Sequence, residues 1–194
     1  MKGVEVRAEI WKRGANYQDL LEVPDEEGRC ELLNGDLWVS PRPRLRHSHV
    51  ALTLGAELLP PFQHGRGGPG GWHFLIEPEL HLHGDVLVPD LVGWRSGRDF
   101  GLMKDAHSKT SPDWVCEILS PSTEELDRTI KLGIYAREKV SHLWLADPAK
   151  RRLEVFKRVD CLWVPKLMLE GNALAAAEPF EVVPFPLKRI WPDR

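Results

Sequence analysis

The sequence predicts an α/β (α+β) fold in which helices pack on a central mixed β-sheet. Three observations point there. Strand-like apolar runs and helix-like apolar stripes follow one another in mixed order: hairpin, helix, strands, helix, strands. The dipeptide Asn34-Gly35 divides ELLNGDLWVS (residues 31–40) into two short strands, the pattern of a type I′ hairpin. With 194 residues, 42% hydrophobic and 28% charged, the chain is long enough for one buried core and has an ordinary globular composition. Residues 1–194 are therefore expected to form one domain.

The elements follow in order. Residues 16–22 read as a short helix with Asn16 as its cap and Pro24 as its end. After the hairpin comes the stiff, basic PRPRLRH (41–47); then Val50, Leu54 and Leu58 recur at intervals of four, one face of a helix that Pro60-Pro61 stops. The glycine run 65–71 is a flexible loop without the lysine and Ser/Thr of a phosphate-binding loop, which argues against a nucleotide site. Runs 72–80, 86–94 and 113–119 read as strands. Ser122 with Glu125 makes an S-x-x-E capping box, and Leu126, Ile130 and Ile134 are the buried stripe of a helix reaching about Lys139. HLWLADP (142–148), a charged turn, and runs near 153–157 and 161–169 are further strands. Trp38, Trp94, Trp114, Trp144 and Trp163 sit in these runs, where aromatic side chains pack well.

A net charge of −3 excludes a uniformly basic nucleic-acid-coating protein, so any nucleic-acid contact must come from a local patch. Cys30, Cys116 and Cys161 are odd in number and lack C-x-x-C spacing, which disfavours a disulfide framework and a cysteine zinc site. The opening MKGVEVRAEIWKRGANY has no apolar signal region, and no window approaches the roughly 18 apolar residues of a membrane span. A cytoplasmic protein with no membrane partner is expected.

The chemistry concentrates in two acidic residues inside apolar runs, where an ionised carboxylate without a partner is costly. These are Asp90 in VLVPDLVGW and Glu117 in DWVCEILS. On neighbouring strand ends, two carboxylates supply the oxygen ligands that Mg²⁺ prefers. Strand alternation puts residues 115, 117 and 119 on one face, and a lysine at 119 would complete an E-x-K signature, but Leu119 is there. Lys131, four residues after Asp127 on the flank of the helix stripe, reaches over the sheet edge as its substitute. Plainer readings exist: a strand-ending turn for Asp90, a core ion pair for Glu117, a helix-surface pair for Asp127 and Lys131. His81-Leu82-His83 puts two imidazoles on one strand face, as a histidine-metal β-barrel enzyme requires, but without a third ligand nearby it reads as solvent-facing. Arg42, Arg44 and Arg46, interleaved with prolines, form either a phosphate-contacting arm or a soluble turn, with the turn favoured.

ELLNGDL, SP followed by a histidine and a covering helix, VPDLV, EILSPST, an Asp then a Lys, a Tyr, and HLWLADP occur in this order. Together they resemble the Uma-type endonuclease family of the PD-(D/E)XK nuclease superfamily, over about residues 16–158. The resemblance implies a restriction-endonuclease-like core with an N-terminal β-hairpin. It implies that Asp90 and Glu117 hold the metal, with the Ile118 carbonyl as a further ligand, and that Lys131 is a migrated catalytic lysine. It adds Glu31 as a further acid at the site, and His47, Asp127 and Tyr135 as supporting residues. SPRPRLRHSH leaves two histidines for one family position, with His47 favoured over His49. The activity implied is Mg²⁺-dependent hydrolysis of DNA phosphodiesters, with Mn²⁺ as a substitute ion. Cutting both strands is simplest with two active sites, so a two-fold homodimer is expected. The alternative is a catalytically silent nuclease-like module that binds nucleic acid or a protein partner.

Overall fold

In the computed structural model, which describes residues 7–101 and 104–192, the chain opens with strand β1 (Glu9–Lys12), an element its sequence does not signal. Helix α1 (Tyr17–Leu21) follows, and Asn16 caps it in a reciprocal box with Asp19. Strands β2 (Arg29–Leu33) and β3 (Asp36–Ser40) then form the expected hairpin. Asn34 and Gly35 both take positive φ, 52° and 82°, as a type I′ turn requires.

Helix α2 (Leu45–Leu58) buries Val50, Leu54 and Leu58, as their spacing predicts. Pro60-Pro61 does not stop it. The chain continues as a π-helical turn, Leu59–Gln63, with the prolines in its first positions and Pro61 and Phe62 buried. Pro60 and Pro61 have no N–H to bond the preceding turn, and the chain passes them in the wider π-helical turn rather than as regular α-helix.

The runs 72–80 and 86–94 are each two strands: β4 (Trp72–Ile76) with β5 (Leu80–Leu82), and β6 (Asp85–Leu87) with β7 (Leu91–Arg95). The second division has a structural cause. Strands β5 and β6 join the hairpin in a five-stranded antiparallel sheet, ordered β1-β3-β2-β6-β5, whereas β4 and β7 belong to a second sheet. The chain crosses between sheets at Val88-Pro89-Asp90, where proline has no N–H for either ladder.

The second sheet is completed by β8 (Trp114–Ile118), β9 (His142–Asp147), β10 (Arg152–Val159) and β11 (Leu162–Glu170), in the order β11-β10-β9-β8-β7-β4. β8 and β9 run parallel and the other pairs antiparallel, which makes the sheet mixed. A small pair, β12 (Leu174–Ala175) with β13 (Phe185–Pro186), follows beyond the runs read as strands in the sequence. Between β8 and β9 lies a helix in three parts: α3 (Glu124–Leu126), a π-helical turn Asp127–Lys131, and α4 (Leu132–Arg137). The Ser122–Glu125 capping box does not form. No side chain caps α3, and the Ser122 hydroxyl is engaged by Ser120.

Alternation along β8 separates two cores. Trp114, Cys116 and Ile118 pack with Val50, Leu54 and Leu58 of α2 and with Phe180 and Trp191 of the C-terminal segment. Val115 and Leu119 pack with Leu126, Ile134 and Tyr135 from the helix on the other side. The mixed sheet is thus flanked by helical layers, with the hairpin sheet adding Leu33, Leu80, Leu82 and Leu87 to the second core.

Candidate active site

The sheet-to-sheet crossing puts Asp90 in a buried position, 2% exposed. Its Oδ1 accepts from Arg29 Nη1 at 2.9 Å, and its Oδ2 accepts from the Ile118 backbone N–H at 2.7 Å and lies 3.0 Å from His47 Nε2. Arg29 sits on β2, two residues before Glu31, and also binds the Val88 carbonyl and the Glu77 carboxylate. His47 reaches Asp90 from the first turn of α2.

Glu117 is the penultimate residue of β8 and is 1% exposed. Lys131 Nζ is 2.8 Å from Glu117 Oε1, 3.1 Å from Glu31 Oε1 and 3.6 Å from Asp127 Oδ1. The Tyr135 hydroxyl donates to Glu117 Oε1, and the Asp90 backbone N–H points to Glu117 Oε2 at 3.4 Å. Glu31 also accepts from the Val88 N–H at 2.8 Å. Asp127 and Lys131 are the ends of the π-helical turn, and both are buried, so they are not a solvated surface pair. π-turns inside helices recur at functional sites because they re-aim side chains that a regular helix would place elsewhere.

The charges act strongly on one another. Burial would raise the Asp90 carboxyl, but the His47 hydrogen bond and the Arg29 and Lys131 cations hold it below the usual carboxylate range. Glu117 is displaced upward by burial and by the neighbouring Asp90 and Glu31 charges, against the pull of Lys131. Asp127 is raised well above its ordinary value, chiefly by burial. Burial works against the Lys131 ammonium, yet Glu117, Glu31 and Asp127 more than offset it, so the lysine stays charged. Tyr135 is pushed well up by burial and by Glu117, so it remains a hydrogen-bond donor.

The comparisons with known proteins bear on this arrangement. The family model described as "Uma2: Putative restriction endonuclease" matches residues 17–185, most of the chain. The chain belongs to the Uma2 family. No curated protein matches it. Among solved structures, a crystal structure titled a "putative nuclease belonging to DUF820" from Anabaena variabilis superposes with a TM-score of 0.73 at 18% identity. The match covers 91% of this chain and 97% of that one, and at this identity it shows the shared fold.

In this Uma2 chain a narrow cleft opens onto the site, lined by Asp90, His47, Lys131, Glu31 and Asp127 within and by Arg42 and Arg44 at its proline-rich edge. Its interior, about 20 Å³, holds about one water-sized body. Its acidic donors are carboxylate oxygens, the ligand type that hard divalent cations take. Four buried carboxylates, Glu31, Asp90, Glu117 and Asp127, have Arg29 and Lys131 as their permanently charged partners among the described residues. Arg29 is shared with Glu77 as well, so carboxylates outnumber these two cations and negative charge is in excess. Protons on the raised carboxyls or a divalent ion can balance it.

Asp90, Glu117, Lys131, Glu31, His47, Asp127 and Tyr135 therefore converge, and of the two histidines it is His47 that meets Asp90. His49 is exposed on α2. Ile118 adjoins Asp90 through its N–H. Arg29 escapes the sequence reading, although its position two residues before Glu31 on a strand puts both side chains on one face. The His81-Leu82-His83 pair does not share a face. His83 has a positive φ of 46° in the turn after β5 and bonds Glu138, whereas His81 is half-buried against Glu79. Only His83 of the two faces solvent as expected.

Proposed function

We propose that this Uma2 chain is a Mg²⁺-dependent endonuclease hydrolysing DNA phosphodiester bonds, with Mn²⁺ able to replace Mg²⁺. The observation that carries the reading is the Lys131 ammonium, buried and 2.8 Å from Glu117, in the cleft that Asp90 also lines. Acid, acid and lysine meet in one place although the E-x-K spacing is absent from β8.

Asp90 and Glu117 would hold the ion, with the Ile118 carbonyl as a further oxygen. A bound divalent cation supplies a water of lowered pKa and stabilises charge on the phosphoryl and leaving oxygens. Lys131 orients the attacking water or neutralises a phosphate oxygen as a compact point charge. Glu31 and Asp127 position that ammonium. His47 and Arg29 fix the Asp90 carboxylate, and Tyr135 fixes Glu117. Arg42, which donates to the Asp25 carbonyl, and Arg44 line the cleft edge, so the segment that reads as a turn also brings positive charge near a bound phosphate, which adds affinity without sequence information. The reading treats residues 1–194 as one cytoplasmic domain that works as a two-fold homodimer, one site for each strand.

Incubation with supercoiled plasmid and Mg²⁺, beside Asp90→Asn and Glu117→Gln, tests the proposal. Nicking by the wild type that chelation and either substitution abolish supports it; cleavage that survives both sinks it. One observation favours the silent-module reading instead. Both Asp90 oxygens already have partners, Arg29 on one and His47 with Ile118 N–H on the other. Plasmid retention on the protein with no cleavage in either ion would select that reading.

A further inference from the structure

A second constellation lies outside the cleft. Glu79, His81 and His107 each offer one ligand atom, and these atoms all lie within 4.8 Å of one another. His81 comes from β5, Glu79 from the residue before it, and His107 from the connection between β7 and β8. The backbone fixes the two segments side by side. His81 N–H donates to the Ser108 carbonyl at 2.8 Å, Ser108 N–H donates to the Glu79 carbonyl at 2.9 Å, and Leu80 and Ser108 form a parallel bridge. Ligand placement thus rests on main-chain register rather than on flexible side chains meeting by chance.

The side chains are held from outside as well. Tyr17 hydroxyl donates to Glu79 Oε1 at 2.9 Å, and the Tyr17 ring packs edge-on to His81 with centroids 4.6 Å apart. His81 Nε2 lies 2.6 Å from the same Glu79 oxygen. The His81 and His107 rings stack at 3.8 Å, tilted by 20°. No hydrogen bond engages the His107 ring among the described residues, and all three groups are partly exposed.

We propose that Glu79, His81 and His107 bind a divalent transition-metal ion of the zinc class, forming a staple between β5 and the β7–β8 connection. Two imidazoles and one carboxylate select zinc-class ions over Mg²⁺, whose preferred ligands are all oxygen. Tetrahedral bonds of zinc length bring ligand atoms to about 3.3 Å from one another, so the stacked rings must turn until both planes meet at the ion for the site to close. Three protein ligands leave one position for water. The donor chemistry separates this site from the cleft, where carboxylates predominate.

Co²⁺ titration of the full chain, followed by visible absorption, tests the proposal directly. One equivalent should bind with a tetrahedral spectrum, unchanged in Asp90→Asn and weakened at least about tenfold in His107→Gln and in His81→Gln. Zn²⁺ should raise the thermal midpoint of the wild type and leave that of His107→Gln where it was. A wild-type measurement covers the case in which the variants misfold: Zn²⁺ should protect His81 and His107 from diethyl pyrocarbonate, read by peptide mass spectrometry. Absence of Co²⁺ binding, binding lost in Asp90→Asn but kept in His107→Gln, or unprotected histidines would each overturn the assignment.

Discussion

The two faces of strand β8 carry equal burial and opposite chemistry. On one, Trp114 meets Trp144 and Phe180 edge to face, with centroids 5.3 and 5.2 Å apart, inside an apolar core. On the other, Val115 and Leu119 flank Glu117, which is engaged by an ammonium, a phenol and a backbone amide. The first face explains itself, because burial of large aromatic side chains stabilises a sheet. The second does not. Apolar residues of similar volume often replace a buried ion network with no loss of stability, so stability alone does not account for four carboxylates and a lysine there. What one face contributes is the fold; what the other contributes is chemistry held in place by that fold.

Substitutions can break this division, and the largest effects fall on activity. Glu117→Gln and Lys131→Met are expected to lower plasmid cleavage by at least about 100-fold to 1,000-fold, as loss of a group stabilising transition-state charge does. Steady-state nicking assays would show it. Phe180→Ala, on the apolar face, should do the reverse, costing about 3–5 kcal/mol in urea denaturation while the folded fraction cleaves normally. Tyr135→Phe removes one hydrogen bond to Glu117 and should cost about 1.5–3 kcal/mol by the same denaturation measurement.

The smallest effect concerns acid. Asp147, at the end of β9, feels some burial, but the Lys150 ammonium and the Ala149 and Lys150 N–H groups hold its carboxyl below the ordinary 3.8. Because the folded value is the lower one, its contribution is complete above the unfolded value and disappears as pH falls through the folded value. Asp147→Asn should therefore lower stability slightly at neutral pH and converge on the wild type below about pH 4, which flattens the acid limb and which thermal melts across pH would reveal. A wild-type slope in the variant would place the effect in other carboxylates.

Much of the fold was legible because its signals are local. Asn34-Gly35 demanded positive φ at two successive residues and formed the turn, and the four-residue spacing of Val50, Leu54 and Leu58 marked the buried face of α2. Signals that depend on tertiary context misled. Pro60-Pro61 reads as a stop, yet packing of Pro61 and Phe62 carries the chain through a π-turn. The run 86–94 reads as one strand because periodicity does not reveal that the chain changes sheets at Pro89. β1 is largely exposed and carries no apolar pattern, so nothing in its residues announces pairing with β3.

The candidate site was legible through contradiction, since a carboxylate in an apolar run needs a partner. Asp90 and Glu117 carry that contradiction, and Leu119 in the E-x-K position leaves the ammonium to Lys131. Arg29 lacked such contrast, because an arginine at a strand start is ordinary until a buried Asp90 is found beside it. His107 was equally silent. Its partners Glu79 and His81 lie across a backbone bridge that sequence spacing does not encode.

The most direct test of the account is to measure Mn²⁺ binding and plasmid cleavage on the same preparations of wild type and Lys131→Met. If Asp90 and Glu117 hold the ion and Lys131 serves the reaction, the variant binds Mn²⁺ no more weakly than wild type yet cleaves at least about 100-fold more slowly. Cleavage by Lys131→Met at the wild-type rate would contradict the central claim that the helix supplies the ammonium absent from position 119.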